Sequence, residues 1–229
     1  MNNNIEFFNK LKAEILGKCH RCNHEGIVES SKCDCLLSFE RYVKLFYRGI
    51  KKEYWDLTLD NWKKDSLTKT EIQKYIAKLE KAKDLGSGLI LLGENGLGKT
   101  MMLSIILKAA FDKNYNILLI DSWTLYDEIM NIPPFVENIF SMDVDFLGIT
   151  DLGNEIHLEK FNTYRSRLEL TLGKRKVNCL PTLVSTNLGD IDIKEQYGKI
   201  FFDILNEKNK KILFHGKGLN KQIDEMLSI

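Results

Sequence analysis

Residues 93–100 read GENGLGKT, a full match to the phosphate-binding pattern G-x-x-x-x-G-K-[ST]. The apolar run LILL precedes this segment and MMLSIILKAAF follows it, which predicts a strand before the loop and a helix after it. Glycines let backbone N–H groups curl around phosphate oxygens, and the N-terminus of the helix adds its partial positive charge. A chance match in a glycine-rich turn is disfavoured because both flanks are correct. The sequence therefore predicts a nucleotide-phosphate site.

The loop residues have different predicted tasks at this site. The Lys99 ammonium would reach the β- and γ-phosphates of a nucleotide, and the Thr100 hydroxyl would bind Mg²⁺. ATP and Mg²⁺ are therefore the expected ligands of the loop. The predicted nucleotide-binding residues are Gly93, Glu94, Asn95, Gly96, Leu97, Gly98, Lys99 and Thr100.

Two polar residues follow later predicted strands. Asp151 comes after VDFLGIT, and Asn187 comes after TLVST. A phosphate-loop ATPase places a carboxylate at such a strand end, where it organises Mg²⁺ and the attacking water. An asparagine there could sense the γ-phosphate or orient water, although strand-end asparagines are commonly turn formers. Because both residues follow the loop in the expected order, Lys99, Asp151 and Asn187 are the predicted catalytic residues.

Short β-type runs alternate with helical stretches after the N-terminal quarter of the chain. Strands are predicted at residues 89–92, 117–121, 145–150 and 182–186, and helices at 99–113, 122–130 and 158–173. Such alternation implies a parallel sheet covered by helices on both faces. The predicted fold class is therefore α/β.

Four of the five cysteines fall within seventeen positions, at Cys19, Cys22, Cys33 and Cys35. Two close pairs joined by a loop can supply four thiolates to a tetrahedral Zn²⁺. In a reducing cytosol this spacing favours metal over disulfide, with an iron–sulfur cluster as the main rival to zinc. All four positions would be filled by protein, so the predicted site is structural. His20 and His24 lie inside the window and could replace a ligand.

The residue patterns divide the chain into three parts. Amphipathic helical patterns at residues 4–17 and 36–48 flank the cysteines, and YWDLTLDNW forms a polar connector dotted with aromatic residues. Thr68 and Glu71 have the spacing of a capping box at the start of the next helix. We expect a zinc-binding, partner-docking module at 1–50, a connector at 51–66 and a nucleotide-binding domain at 67–229.

Composition restricts the class of partner and the compartment. The 33 basic and 32 acidic residues give a net charge of +1, which argues against a polybasic nucleic-acid coat. No apolar run approaches the roughly 18 residues needed to span a bilayer. The start, MNNNIEFFNK, lacks the order of a signal peptide. We therefore expect a cytoplasmic protein without a membrane partner.

Only six of the basic residues are arginines, and none follows Arg175. Positive charge concentrates in one segment, at Arg165, Arg167, Lys174, Arg175 and Lys176. This segment could touch single-stranded DNA or a neighbouring subunit. A solvated helix face is the favoured interpretation, because Glu159 and Glu169 dilute the charge. Trp55 and Trp62 could stack on a base, but burial is the commoner use of tryptophan.

Several segments together resemble the DnaC/DnaI-type helicase loaders, a group of AAA+ ATPases that includes IstB-like transposition helpers. The segments are GENGLGKT, ITDLGNE, PTLVSTNLGD, QYGKIFFDIL and HGKGLNKQ. The connector and the N-terminal cysteines are similar to those of phage and low-GC bacterial loaders. The resemblance implies an AAA+ P-loop core, a hexameric replicative helicase as partner, and self-association on ATP binding.

Four positions depart from the pattern of this group: Thr150, Ile200, Ile204 and Asn220. The resemblance implies an acidic residue at the first and arginines at the other three, with the arginine finger at Ile204. Asp151 keeps the position that polarises the attacking water. Arginine fingers contribute about 10³–10⁵ in rate. ATP binding is therefore expected to survive these changes, and hydrolysis is expected to be slow or absent.

The sequence thus predicts an ATP-binding replication protein that helps to load a replicative helicase onto DNA. Two alternatives stay open. The first is a catalytically silent AAA+-like protein that sequesters or remodels a replication partner. The second is an IstB-like transposition helper, which the cysteine-bearing N-terminus disfavours.

Overall fold

A computed structural model describes residues 2–62, 66–132 and 143–216 of the chain. The chain divides into two units, Met1–Asp56 and Leu57–Ile229. The boundaries predicted at residues 50 and 66 separate modules by their expected functions, and they stay a prediction.

The first unit is a helical hairpin with a small β-hairpin inserted between its helices. Its elements are α1 (Asn2–Gly17), β1 (Ile27–Val28), β2 (Ser31–Lys32) and α2 (Asp34–Tyr47). The two strands pair antiparallel, and the turn residues Glu29 and Ser30 both have positive φ, as a tight type I′ turn requires. The two helices coincide with the predicted amphipathic stretches and pack on each other, with Leu11 and Leu45 buried.

The second unit alternates strands and helices. Its elements are α3 (Ser66–Ile76), α4 (Leu79–Leu85), β3 (Leu89–Leu92), α5 (Lys99–Asp112), β4 (Ile117–Asp121), α6 (Ser122–Asn131), β5 (Phe146–Leu152), α7 (Phe161–Val177), β6 (Thr182–Thr186), α8 (Asp190–Tyr197), α9 (Lys199–Glu207) and β7 (Lys210–Leu213). Short 3₁₀ turns lie at Lys52–Tyr54 in the first unit and at Leu59–Asn61 and Asn154–His157 in the second.

The five strands of this unit form one parallel sheet in the order β4-β5-β6-β3-β7. Alternate residues of β5 face opposite layers of helix. Leu147 and Ile149 join the core formed with α6, α7, α8 and α9, whereas a Cβ at Gly148 would lie 2.7 Å from Leu107 of α5. The predicted α/β class, with a parallel sheet between helices, is therefore confirmed.

The structure corrects two element boundaries. The predicted helix at 158–173 begins only at Phe161, because Lys160 before it has a left-handed backbone with φ +62. The helix ends at Val177. The predicted capping box at Thr68 is wrong. The helix already begins at Ser66, and Thr68 is buried inside its first turn. Strand β7 was not predicted, because its sequence, KKIL, is short and half charged.

Within the described ranges, no helix is both long and apolar enough to cross a membrane.

Candidate functional site

The phosphate loop joins the end of β3 to the start of α5. Its three glycines all have positive φ: Gly93 at 145°, Gly96 at 76° and Gly98 at 93°. Left-handed and mirror-β conformations of this kind are open to glycine at little cost, which explains the residue type at these positions. Gly98 directly precedes α5, so the loop ends on the N-terminus of a 14-residue helix.

Two aromatic residues support the loop from behind. A Cβ added at Gly98 would lie 2.7 Å from the Trp62 ring, and one added at Gly93 would lie 2.6 Å from the Phe214 carbonyl oxygen. The Trp62 and Phe214 rings meet edge to face with centroids 5.7 Å apart. Trp62 is 7% exposed, so its ring serves packing rather than base stacking. The loop is therefore open on one side, where it forms a cradle, and packed against Trp62 and Phe214 on the other.

Lys99 lies across the cradle. Its side chain is nearly buried, and Nζ donates hydrogen bonds to the carbonyl oxygens of Gly93 (2.6 Å) and Glu94 (2.8 Å). Burial lowers the pKa of Lys99, and the negative charge of Asp151 opposes that shift. The ammonium therefore lies where a phosphate bound in the cradle would meet it.

The other predicted loop residues differ in exposure. Glu94, Asn95 and Gly96 are exposed at the tip, Thr100 is partly buried in the first turn of α5, and Leu97 is buried beneath the loop. Only the backbone of Leu97 is therefore available to a ligand.

The strand order brings the predicted catalytic residues to the same edge of the sheet as the loop. Strand β6 is the direct neighbour of β3, and β5 lies on the far side of β6. Asn187 follows β6 and is exposed, whereas Asp151 lies near the end of β5 with a left-handed backbone, φ +58. Since carboxyl ends of parallel strands meet at one edge, Lys99, Asp151 and Asn187 share that edge.

Three positions that depart from the loader pattern lie in described parts of the chain. Thr150 is buried at the end of β5, Ile200 is 64% exposed at the start of α9, and Ile204 packs partly into the core. The fourth position, Asn220, lies outside the described residues.

Arg175 does not replace the missing arginines. Its guanidinium is fully buried at the opposite end of the sheet, where it donates hydrogen bonds to Thr182 Oγ1 and to the carbonyl oxygens of Val144, Asp145 and Pro181. Burial lowers its pKa to about 9. This arginine ties the starts of β5 and β6 together.

The rest of the basic segment on α7 also makes local contacts. One guanidinium nitrogen of Arg167 donates to the carbonyl oxygens of Ile129 (3.0 Å) and Ile132 (2.9 Å) at the C-terminus of α6. Lys176 pairs with Glu207. These contacts match the interpretation as a helix face better than a dedicated DNA site.

Glu155 is a buried acidic residue that sequence reasoning missed. Its carboxylate is fully buried, accepts the Gly153 N–H at 3.0 Å, and accepts the hydroxyl of Tyr197. Burial, with the nearby carboxylate, raises the pKa of Tyr197. Glu155 thereby connects the loop after β5 to α8. The available signal was an acidic residue three positions after the end of β5, directly before the apolar Ile156.

The four clustered cysteines converge in the first unit. Their sulfur atoms all lie within 4.8 Å of one another, with Cys19 and Cys33 at 3.7 Å and Cys22 and Cys35 at 3.5 Å. Four thiolates around Zn²⁺ lie about 3.8 Å apart, given Zn–S bonds of about 2.3 Å. The donor set and its spacing therefore fit tetrahedral zinc.

The surroundings of the cysteines shift their pKa values in opposite directions, because burial raises the pKa of Cys35 to about 12 whereas that of Cys19 is lowered. The Gly26 N–H points at the Cys22 sulfur at 3.2 Å. A backbone hydrogen bond at Cys22 lowers the pKa of Cys19 to about 7. His24 instead lies with Nδ1 3.0 Å from the Leu16 carbonyl oxygen, so this ring nitrogen is used outside the cluster.

Several solved structures with the same fold are of DNA replication proteins. The DnaC helicase loader aligns with a TM-score of 0.60 and 20% identity, over 72% of this chain and 100% of that one. DnaI aligns with a TM-score of 0.59 and 19% identity, over 72% and 94%. The replication initiator DnaA bound to AMPPCP and single-stranded DNA aligns with a TM-score of 0.58 and 15% identity, over 78% and 56%. The predicted resemblance to helicase loaders is thus confirmed at the level of the fold.

Sequence comparison identifies the family. No curated protein sequence matches the chain. The family model described as Novel STAND NTPase 3 (nSTAND3) matches residues 68–220, which include the phosphate loop and both strand ends of the site. With more than half of its residues matched, the chain belongs to the nSTAND3 family of NTPases.

Proposed function

We propose that the protein binds ATP and helps to place a replicative helicase on DNA in the cytoplasm, with weak hydrolysis. The observation that carries the proposal is the complete phosphate cradle, with buried Lys99 across it, in a fold shared with the whole solved chain of a DnaC helicase loader.

ATP fits the cradle on local grounds. The tip of the loop at residues 94–96 is exposed, and Lys99 already bonds two oxygen acceptors that phosphate oxygens can replace. Thr100 would hold Mg²⁺ through its hydroxyl, and Asp151 would act on it through water. The bound cation supplies charge neutralisation of the phosphates.

Weak hydrolysis follows from the charges that the site lacks. Thr150 supplies no second carboxylate at the end of β5, and Ile200 and Ile204 place apolar side chains on α9 where loaders carry arginines. Arg175 is committed to the opposite end of the sheet. The protein then acts through ATP-dependent contacts more than through turnover.

The first unit would contact the helicase. Zn²⁺ held by Cys19, Cys22, Cys33 and Cys35 would fix the β-hairpin against the start of α2. Apolar side chains remain on its surface, among them Leu37 and Tyr47, the latter 63% exposed. Single-stranded DNA and a second copy of the chain are secondary partners in this proposal.

A binding experiment with the purified helicase tests the proposal. Size-exclusion chromatography with ATP should show a complex for the wild type and for Lys108→Met, and no ATP-dependent complex for Lys99→Met. Both lysines are 5% exposed on α5, but Lys108 bonds the Leu57 carbonyl and faces away from the loop. Absence of a wild-type complex with or without ATP would overturn helicase loading.

The buried Arg175 and the isoleucines on α9 favour a second candidate, a silent nucleotide-binding protein that sequesters a replication partner. Hydrolysis stimulated by single-stranded DNA or by the helicase, and lost in Lys99→Met, would reject this candidate. Retention of a transposase and target DNA instead would support the transposition helper.

A further inference from the structure

Strand β5 carries a β-bulge where Asp151 leaves the regular ladder. The pairing with β6 shifts by one residue between Ile149 and Leu152, so that Thr150 and Asp151 share the single position of Ser185. Asp151 is the residue with the left-handed backbone, φ +58. Bulges concentrate beside functional sites, where they re-aim a side chain.

Two buried serines hold this bulge from either side. The Asp151 N–H donates to Ser185 Oγ of β6 at 3.2 Å, and the Ser122 hydroxyl donates to the Asp151 carbonyl oxygen at 2.9 Å. Ser122 is the first residue of α6 and directly follows β4, whereas Ser185 belongs to β6, so the two hydroxyls reach the bulge from opposite sides of β5. Both serines have no exposed surface.

The serines replace ladder hydrogen bonds that the bulge gives up. A non-glycine residue with positive φ is strained, and a buried peptide group without a partner is unfavourable. If β5 slipped by one residue against β6, regular pairing would relieve both the strained backbone of Asp151 and the lack of ladder partners for its peptide groups. Such a slip would turn the Asp151 side chain to the opposite face of the sheet. The hydroxyls therefore decide which arrangement is stable.

The direction of the Asp151 side chain matters because the bulge lies at the same edge of the sheet as the phosphate loop. Only β6 separates β5 from β3, and Lys99 crosses the loop at that edge with Nζ bonded to the Gly93 and Glu94 carbonyl oxygens. The carboxylate of Asp151 adds a negative charge there. A slip that turned the carboxylate away would remove this charge from the loop.

We propose that Ser122 and Ser185 are positioning residues that clamp the Asp151 bulge and thereby keep its carboxylate at the phosphate-loop edge of the sheet, where it would act on Mg²⁺ through water. The inference rests on the proposed function, because it takes ATP as the ligand of the loop. It goes beyond that function by assigning a task to two side chains that bond the backbone of Asp151.

The test compares Ser122→Ala and Ser185→Ala with Asp151→Ala. Hydrolysis is followed in single turnover with protein in excess, and the affinity for a fluorescent ATP analogue is measured with and without Mg²⁺. Each serine variant should lower the rate by about 10- to 100-fold and shift the Mg²⁺ dependence in the same direction as Asp151→Ala. Thr171→Val, which removes a buried hydroxyl bonded to Arg167 O within α7, should behave as wild type.

Combined variants separate positioning from general destabilisation. When Asp151 is already alanine, loss of either serine should have no further effect on rate or affinity, because the carboxylate they place is gone. Effects that add in the double variants would overturn the clamp.

Backbone NMR shifts of residue 151 keep the inference testable without turnover. The left-handed shifts of the wild type should be lost in Ser122→Ala and Ser185→Ala, and their retention would overturn the clamp. If the wild type bound no ATP, or if Asp151→Ala changed neither the rate nor the affinity, the proposed role of the site would fail. The NMR shifts of residue 151 would still show whether the two serines hold the bulge.

Discussion

Gly98 shows at the scale of one residue why the phosphate loop tolerates so little change. Its φ of 93° is strained for any other residue, and the direction of a Cβ is closed by the Trp62 ring at 2.7 Å. Trp62 cannot retreat freely, because its ring packs on Phe214. The glycine is therefore required by the wall behind the loop as well as by the phosphates in front of it.

We expect Gly98→Ala to destabilise the protein by about 1–3 kcal/mol, the cost of a non-glycine residue in this backbone region. Thermal unfolding should show a lower midpoint, and the affinity for ATP should fall with it. Gly17→Ala is the matched control, because a Cβ at Gly17 meets nothing within 4 Å. Equal midpoints for the two variants would contradict the close packing of Trp62 against Gly98.

The cysteine cluster acts at the scale of elements, because it joins two of them. Cys33 directly precedes α2, and Cys22 lies before the β-hairpin, so one ion would fix the hairpin to the start of the helix. Short two-stranded hairpins are marginal by themselves in water. Most of the order of this part of the unit is therefore expected to depend on metal.

We expect the purified protein to contain one equivalent of zinc by mass spectrometry and no visible absorbance band of an iron–sulfur cluster. Cys22→Ser should lose the metal and part of the helical circular dichroism signal. Cys179→Ser should keep both, since Cys179 lies outside the cluster. A metal-free wild type with an intact helical signal would refute a structural zinc site.

Glu71 connects two other elements across the surface of the nucleotide-binding unit. Its carboxylate on α3 pairs with Lys210 of β7 and with Lys74 of its own helix. The hydrogen bond from Lys210, followed by that from Lys74, lowers the pKa of Glu71 to about 2. The folded protein therefore binds this proton less readily than the unfolded chain does.

A lowered folded-state pKa gives stability that is present above the unfolded value and is lost as the pH falls toward the folded value. For Glu71 this window runs from about pH 4.5 down to about 2. Glu71→Gln should therefore lower the unfolding midpoint slightly at pH 7, since exposed pairs contribute little. The difference from wild type should shrink across that window. A difference that grew with acidification would contradict the ion pair.

At the scale of the whole molecule, local signals predicted where the phosphate loop and the ends of β5 and β6 lie in the fold. The loop motif, its flanking strand and helix, and the strand-end positions of Asp151 and Asn187 depend on short stretches of chain and on the rule that parallel strands share one carboxyl edge. The sequence could not supply contacts between distant segments. The burial of Arg175 against the starts of β5 and β6, the link between Glu155 and Tyr197, and the pairing of the edge strand β7 all depend on such contacts.

Under the proposed function, the scarcity of arginine would also matter between copies of the chain, because an arginine finger acts on the site of a neighbouring copy. The resemblance to helicase loaders implies the finger position for Ile204 on α9, and the tip of Ile204 lies 3.8 Å from a Cβ at Gly173 on α7. The surrounding groove is open and includes Leu170, which is exposed, so a longer side chain at residue 204 has a path to solvent.

We therefore expect Ile204→Arg to raise the rate of ATP hydrolysis by at least about tenfold, a fraction of the 10³–10⁵ that fingers contribute elsewhere. The gain should increase with protein concentration, because the arginine must reach a second copy. Ile204→Met keeps an apolar side chain of similar size and should stay at the wild-type rate. A gain that was independent of concentration would place the arginine in its own site, and no gain at any concentration would show that the missing finger is not what limits turnover.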